Sequence, residues 1–404
     1  MTTTTSAAEL PGVDHQAKAV GAELVEGPLK GYHHQTYAVL LDPGSPFATD
    51  FRRLKLREPR EGVYWYDMRW FSSEDLLLRR LNERHRDLFP YIPQVRELDV
   101  QGHRMAFLGF IEGVTLDRAP DSRGGRVAER FLRQIEDLFR SLAALDAEPL
   151  AAHGGQPAPC GCEGREQDLT RSGKGGSTAF LRGLTHFTVR HAYEGRQRAS
   201  LHDLLVELGV PGNALNAFAR AEPELTDRPR ALLHGDLHRK NFIVDRVGAL
   251  WTIDWELALI GDPLYDLATH LHLMAYYPEQ ELEMVRRWER AVGPDASAGA
   301  RDDLPHYRAY KRVQSLCTDV IRAATRLVES PDTPGTDTAC LRLRGTAALV
   351  RKALDAALEP LGIEKAPPRQ AVEDVFDAWW RQEWKASHGG SAAATRSGQG
   401  PCGP

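Results

Sequence analysis

The sequence predicts an α+β protein: a small β-rich N-terminal lobe, a short hinge and a larger, mainly helical C-terminal lobe. Three observations carry this. From Ala22 to roughly Gly109 the apolar patterns are short and strand-like. Beyond that point they lengthen and recur at spacings of three and four, as helices require. And 404 residues are too many for one small core.

In chain order, residues 1–14 are Thr- and Ala-rich and are expected to be disordered. Thr36-Tyr37-Ala38-Val39-Leu40-Leu41 reads as a strand, with Asp42-Pro43-Gly44-Ser45 as the turn after it. Phe51 to Arg57 alternates in part. Ser72-Ser73-Glu74-Asp75 caps a helix through about Asn82 that buries Leu76, Leu77 and Leu81. Met105-Ala106-Phe107-Leu108 is a further strand, which closes an N-terminal lobe over 15–109. Residues 110–116 form the hinge and 117–386 the C-terminal lobe. That lobe opens on Val127, Phe131, Ile135, Leu138, Leu142 and Leu145, one apolar face of a helix. Residues 151–183 are rich in Gly and polar residues without an apolar period and read as a flexible insertion. Helical patterns resume over 201–220, 265–275, 305–329, 338–358 and 369–386. The tail 387–404, rich in Gly, Ser and Ala, is expected to be disordered.

The bulk numbers exclude several classes. Hydrophobic residues make up 42% and charged residues 26%, ordinary for a globular protein. A net charge of −5 disfavours a general nucleic-acid binder. Five cysteines form no disulfide framework and suit a reducing compartment. The N-terminus carries no secretory pattern, and no apolar run approaches the roughly 20 residues that span a bilayer. The expectation is a soluble, cytoplasmic protein.

The chemistry concentrates in Leu233-His234-Gly235-Asp236-Leu237-His238-Arg239-Lys240-Asn241, followed by Ile253-Asp254-Trp255-Glu256. Phosphoryl transfer from a nucleoside triphosphate needs one carboxylate to orient and deprotonate an acceptor hydroxyl. It also needs oxygen ligands to hold Mg²⁺ against the phosphates. Asp236 fits the first role as catalytic base, and Asn241 and Asp254 fit the second. Phe242-Ile243-Val244 and Leu250-Trp251-Thr252-Ile253 flank Asp245-Arg246-Val247-Gly248, a hairpin that returns Asp254 to Asn241. His234 is read as a buried residue that fixes the loop. His238 and Lys240 either touch the transferred phosphate or are solvated.

These residues resemble the aminoglycoside phosphotransferase/choline kinase-like superfamily, which has the protein-kinase-like fold and moves the γ-phosphate of ATP, sometimes GTP, to small-molecule hydroxyls. The resemblance implies a bilobal protein-kinase-like fold, with Asp236 as base and Asn241 and Asp254 as Mg²⁺ ligands. Asp-Trp-Glu stands where protein kinases carry Asp-Phe-Gly, which points away from a protein kinase. In Gly261-Asp262-Pro263-Leu264-Tyr265-Asp266-Leu267-Ala268, Asp262 and Asp266 are expected to cap the next helix and brace the catalytic loop. Lys55, in Leu54-Lys55-Leu56, resembles the lysine that contacts the α- and β-phosphates, with Glu74 as the partner that orients it. Arg53 and Arg57 share its face and leave the identity of the phosphate-contacting cation open. Gly27 to His34 matches the place of a phosphate-covering loop, with Gly27 and Gly31 as nucleotide-binding glycines and a plain hairpin turn as the alternative. Phe107 to Gly113 would pair with the nucleobase.

Other signals are weaker. Ser172-Gly173-Lys174-Gly175-Gly176-Ser177-Thr178 fails as a P-loop because Gly follows the lysine and no strand precedes it. Cys160-Gly161-Cys162 is a weak zinc signal, and Trp379 and Trp380 read as packing residues. The sequence thus favours an ATP-dependent O-phosphotransferase, aminoglycoside-phosphotransferase-like, acting on a small-molecule hydroxyl and needing Mg²⁺. GTP remains the alternative donor, and a peptide hydroxyl the alternative acceptor. A nucleotide-binding pseudokinase acting as a regulatory module is the reading from a different class. No nucleic-acid or membrane partner is expected.

Overall fold

The short apolar segments before Gly109 fold as one antiparallel sheet in the computed structural model, which describes residues 12–29, 34–45, 47–59, 70–71, 73–100, 102–153, 176–190, 199–221 and 223–388. After helix α1 (Val13–Ala19) come β1 (Ala22–Leu29), β2 (His34–Leu41), β3 (Arg53–Pro59), helix α2 (Glu74–Arg84), β4 (Val95–Val100) and β5 (His103–Gly109). The strand order is β1-β2-β3-β5-β4. Alternation along β3 assigns its two faces. Leu54 and Leu56 are buried in a cluster with Val13, Ala17, Val39 and Phe107, which leaves Arg53, Lys55 and Arg57 on the opposite face. Ser73 caps α2 by accepting the N–H groups of Asp75 and Leu76.

The two ends differ from their compositional expectation. Disorder is expected to reach residue 14, but α1 begins at Val13, because Val13, Ala17 and Val20 make an apolar stripe that packs on the sheet. Residues 1–11 lie outside the described residues, as do 389–404; the last helix runs to His388, just beyond the expected start of the tail.

After β5 the chain passes through β6 (Val114–Thr115) and a 3-10 turn at Pro120–Gly125 into α3 (Glu129–Ala144) and α4 (Glu148–His153). The buried face of α3 is Phe131, Leu132, Ile135, Phe139 and Leu142. Helices α5 (Gly176–Thr188), α6 (Ala199–Glu207) and α7 (Gly212–Arg220) follow, before the short strands β7 (Ala231–Leu233), β8 (Phe242–Val244) and β9 (Leu250–Thr252), a 3-10 turn at Trp255–Leu257, and β10 (Leu259–Gly261). The chain closes with α8 (Pro263–Met274), α9 (Pro278–Ala296), α10 (Ala300–Val328), α11 (Asp337–Leu361) and α12 (Arg369–His388).

Both ends of the insertion expected as flexible over 151–183 are helical, in α4 and α5. Helix α5 starts at Gly176, and Phe180, Leu181, Leu184 and Phe187 give it a buried face hidden by the preceding Gly-rich run. Residues 154–175, with Cys160, Cys162 and Lys174, lie outside the described residues. Helix α9 has no counterpart among the sequence expectations. Met284, Trp288 and Ala291 are among its buried residues, and its Arg287 reaches Glu129 at 2.8 Å and Glu136 at 3.1 Å on α3.

Among the described residues the chain forms two compact units. One holds 12–153 and 229–297 and contains the sheet, the loop from His234 to Asn241 and helices α8 and α9. The other holds 176–228 and 298–388, a helical unit whose core includes Tyr307, Leu316, Val350, Phe376 and Trp380. Trp380 is a packing residue, as expected. Cys317 is a buried thiol. Cys340 is disulfide-bonded, which departs from the expectation of reduced cysteines at that one position. Among the described residues no helix is long and apolar enough to cross a membrane.

Ile135 is fully buried on α3. Ile135→Ala should destabilise the protein by roughly 2–5 kcal/mol, read as a lower denaturant midpoint at unchanged slope. A loss too small to measure would contradict the packing of α3.

Candidate active site

The loop between β7 and β8 turns sharply at Gly235, whose φ is +80°. A Cβ there would lie 2.5 Å from the Leu257 carbonyl, so any side chain would collide with backbone. Asp266, on the first turn of α8, accepts the N–H groups of His234 at 3.0 Å and Gly235 at 2.9 Å. Asp262 acts on the helix itself, capping α8 through the Leu264 N–H at 2.9 Å. Buried His270, one turn after Asp266, bonds the Leu237 carbonyl at 3.1 Å and the Tyr276 hydroxyl at 2.9 Å. Arg239 donates to the carbonyls of Met274 and Gly125. The loop is therefore held from α8 on one side and from the 120–125 turn on the other.

Within it, His234 is fully buried and ties two segments together. Its Nδ1 accepts from the Asp236 N–H at 3.3 Å, so Nε2 carries the proton and donates to the Ile253 carbonyl at 3.1 Å. Burial pushes its pKa down to about 4, which keeps the ring neutral in this role. Asn241 donates through Nδ2 to both the Asp236 carbonyl, at 2.9 Å, and Asp236 Oδ2, at 3.0 Å. Its Oδ1 is then the atom left over for a ligand. His238 Nε2 stands 3.4 Å from the same Asp236 oxygen, and Lys240 at the loop tip is exposed.

The β8–β9 hairpin carries Asp254 back to this point. Phe242 pairs with Thr252, and the Ile253 N–H donates to the Asn241 carbonyl at 2.9 Å. Asp254 then adopts the left-handed conformation, φ 68° and ψ 60°, which turns the chain into the 3-10 turn. Loss of hydration, then the neighbouring charges of Glu256, Glu74 and Asp236, push its carboxyl up to about 7, and Lys55, ahead of Arg57, opposes them. A concentration of carboxylates with Lys55 as the chief opposing cation is a site that gains by holding further positive charge.

The sheet supplies that cation. On the exposed-face row of β3, Arg53 pairs with Glu26 and Glu112. Arg57 pairs with Glu74 and with Asp75. Lys55 has no ion pair within 4 Å among the described residues, so it is the member of the row free to meet phosphate. The expected Lys55–Glu74 pairing is thus replaced by Arg57–Glu74 in this structure, because the guanidinium two residues further along the strand reaches α2. Glu74 instead spans to the other segment, accepting the Trp255 N–H at 2.9 Å. His34, at the start of β2, stands 3.4 Å from Glu256. A cavity of about 460 Å³ is lined by His34, Lys55, Glu74, Leu108 and Glu256 among others.

Gly27 is explained by packing within the β1–β2 hairpin: a Cβ there would lie 2.8 Å from the Tyr37 ring. Gly31 lies outside the described residues. The structure therefore gathers Asp236, Asn241, Asp254, Lys55, Glu74, His234 and Asp266 about one site. Sequence reasoning missed His270 and Arg239 as parts of it, and weighed Arg57 only as an alternative phosphate-contacting cation and not as the partner of Glu74. The signals were spacings: His270 is one helical turn from Asp266, and Arg57 is two strand residues from Lys55.

The sequence matches the phosphotransferase enzyme family, APH, over residues 25–310. The chain belongs to that family. No curated protein matches it. Similar solved structures include a type I macrolide 2'-phosphotransferase, at 18% identity and TM-score 0.46, covering 83% of this chain and 94% of that one. Another is a thermostable mutant of the aminoglycoside phosphotransferase APH(4)-Ia in ternary complex with ADP and hygromycin B, at 15% identity and TM-score 0.46, covering 88% and 99%. A third is the choline kinase LicA from Streptococcus pneumoniae, at 14% identity and TM-score 0.43, covering 86% and 97%.

The raised Asp254 carboxyl gives a signed prediction for the metal-free protein. Its folded pKa of about 7 lies above the unfolded value near 3.9, so the native state holds the extra proton between them, and stability falls as pH rises through that window. Asp254→Asn removes that loss. In EDTA it should melt above the wild type at pH 8, on the order of a few degrees, with the gap closing toward pH 5. Equal or lower melting at pH 8 would contradict the electrostatics described.

Proposed function

We propose that this phosphotransferase moves the γ-phosphate of ATP to a hydroxyl of a small molecule. The observation that carries the reading is the joining of Asp236, Asn241 and Asp254 by the β8–β9 hairpin and by the Asn241–Asp236 hydrogen bonds. Asp236 is fixed through its own amide and one carboxylate oxygen, half-buried at the mouth of the loop. A carboxylate so placed orients an acceptor hydroxyl and takes its proton as the oxygen attacks phosphorus.

The donor set fits Mg²⁺. Asn241 Oδ1 and the Asp254 carboxylate are hard oxygen ligands, and the carboxylate excess around Asp254 favours a divalent cation. Lys55 fits the phosphates as the unpaired cation of its row. In the hinge, Ile111 and Glu112 make no backbone hydrogen bond among the described residues, which suits pairing with a nucleobase edge. When bound, Mg²⁺ and ATP supply the phosphoryl group and neutralise its charge. His234, Asp266 and His270 act on the loop backbone and keep Asp236 oriented. Within this reaction class we infer an aminoglycoside-phosphotransferase-like enzyme, with a hydroxyl-bearing small molecule as its partner. The match to the phosphotransferase family supports the reaction type.

The test is ATP consumption against a panel of hydroxylated acceptors, with nucleotide binding followed by calorimetry. Asp236→Asn should cut turnover by about 10²–10⁴-fold while nucleotide still binds. Asp254→Ala should weaken binding of the Mg²⁺–nucleotide complex instead. If wild type and Asp236→Asn were equally inert across the panel while ATP bound normally, the chain would be a nucleotide-binding module. Transfer to a peptide and to nothing else on the panel would correct the acceptor class.

A further inference from the structure

Arg57 is the charged residue of the site that the reaction as described does not use. It lies two residues beyond Lys55 on β3, with its side chain only 14% exposed. One Nη group pairs with Glu74 Oε2 and the other with Asp75 Oδ1 at 2.5 Å. The Glu74 side chain is 1% exposed. Its Oε1 accepts the N–H of Trp255, the residue after Asp254. One carboxylate thus joins three elements: β3 through Arg57, α2 through its own backbone, and the turn carrying Asp254 through the Trp255 amide. Burial alone would raise the Glu74 pKa. Arg57, ahead of Lys55, and the Trp255 amide reverse that and leave it lowered.

We propose that Arg57 is a positioning residue for the metal-binding turn: it holds the Glu74 carboxylate against the Trp255 amide and so leaves Lys55 for the phosphates. This inference rests on the phosphotransferase reading of the site. Direct phosphate binding by Arg57 is disfavoured by geometry. Both its Nη groups already hold carboxylates, and turning them to a phosphate would leave a buried Glu74 unpaired. Lys55 has no such commitment. The division of labour follows from shape, because a guanidinium presents two Nη groups in a rigid planar fork, one to each carboxylate, whereas an ammonium is a compact point charge.

The experiment uses the full chain and calorimetric titration with a non-hydrolysable ATP analogue, with and without Mg²⁺, beside thermal melting. Arg57→Met should weaken the Mg²⁺-dependent part of binding by about 10-fold and leave Mg²⁺-free binding within about twofold of wild type. Glu74→Gln should do the same, and the double variant should be no worse than either single one, because both act through one contact. Lys55→Met should instead weaken binding with or without Mg²⁺. Should Arg57→Met fail to fold, Arg57→Lys carries the test, since it keeps one of the two ion pairs and should show an intermediate Mg²⁺ dependence. Three results overturn the proposal: a lowered melting point with unchanged Mg²⁺ dependence, losses that multiply in the double variant, or a Lys55-like loss without Mg²⁺. A wild type that binds no nucleotide at all sinks the reading of the site together with the proposal. A wild type that binds, beside an Arg57 variant of unaltered Mg²⁺ dependence, sinks the proposal alone.

Discussion

The site depends on one buried carboxylate that holds the backbone of the loop. Asp266 accepts the N–H groups of two successive residues, His234 and Gly235, at the point where the chain must reverse to present Asp236. Those two amides lie where Gly235 has a positive φ, and buried backbone N–H groups require a hydrogen-bond partner. One carboxylate serves both, an oxygen to each amide. The carboxylate is fixed in turn because it projects from α8, whose start is capped by Asp262 with Pro263 at its first position. The order of dependence therefore runs from a helix cap, through a helix face, to a loop backbone, and only then to the residues proposed to do chemistry.

The second organising element is an imbalance of charge. Asp236, Asp254, Glu74 and Glu256 interact at close range, and Lys55 is the cation that counts most against them at Asp254. Arg57 is absorbed by Glu74 and Asp75, and Arg53 by Glu26 and Glu112. The protein thus holds more carboxylate charge at this point than its own cations neutralise. That is unfavourable for stability and suits a site whose partner brings positive charge, which is the usual compromise at a functional centre.

Much of this was readable in the sequence because it is local. The interval from Asp236 to Asn241, the turn at Asp245 to Gly248 and the return to Asp254 lie within a hairpin, whose register follows from turn and strand lengths alone. The cap at Ser73 and the alternation of Leu54, Lys55 and Leu56 are local too. What escaped was set by reach across the fold. The Glu74 partner is Arg57 and not Lys55, a choice between neighbours on one strand face that depends on how far each head group extends. His270 looks like any residue in an apolar helix until α8 is seen to lie beneath the loop. Helix α5 is hidden when composition is averaged over a window that joins a Gly-rich run to a genuine apolar face. Gly27 carries a signal for close approach, and the close neighbour is Tyr37.

Trp255 stands where protein kinases place the phenylalanine whose packing sets their active and inactive forms. Here the indole is 1% exposed. Its Nε1 donates to the Thr252 carbonyl at 3.1 Å, its ring meets His234 at 4.7 Å between centroids, and Phe89 stands edge-on at 6.0 Å. Its amide is held by Glu74. Swinging it out would give up two hydrogen bonds and a large buried ring at once, several kcal/mol on ordinary magnitudes. The segment that carries Asp254 is therefore built as a fixed bracket and not as a latch. An inhibitor that works by capturing a displaced aromatic at this position would have to overcome that cost in this chain.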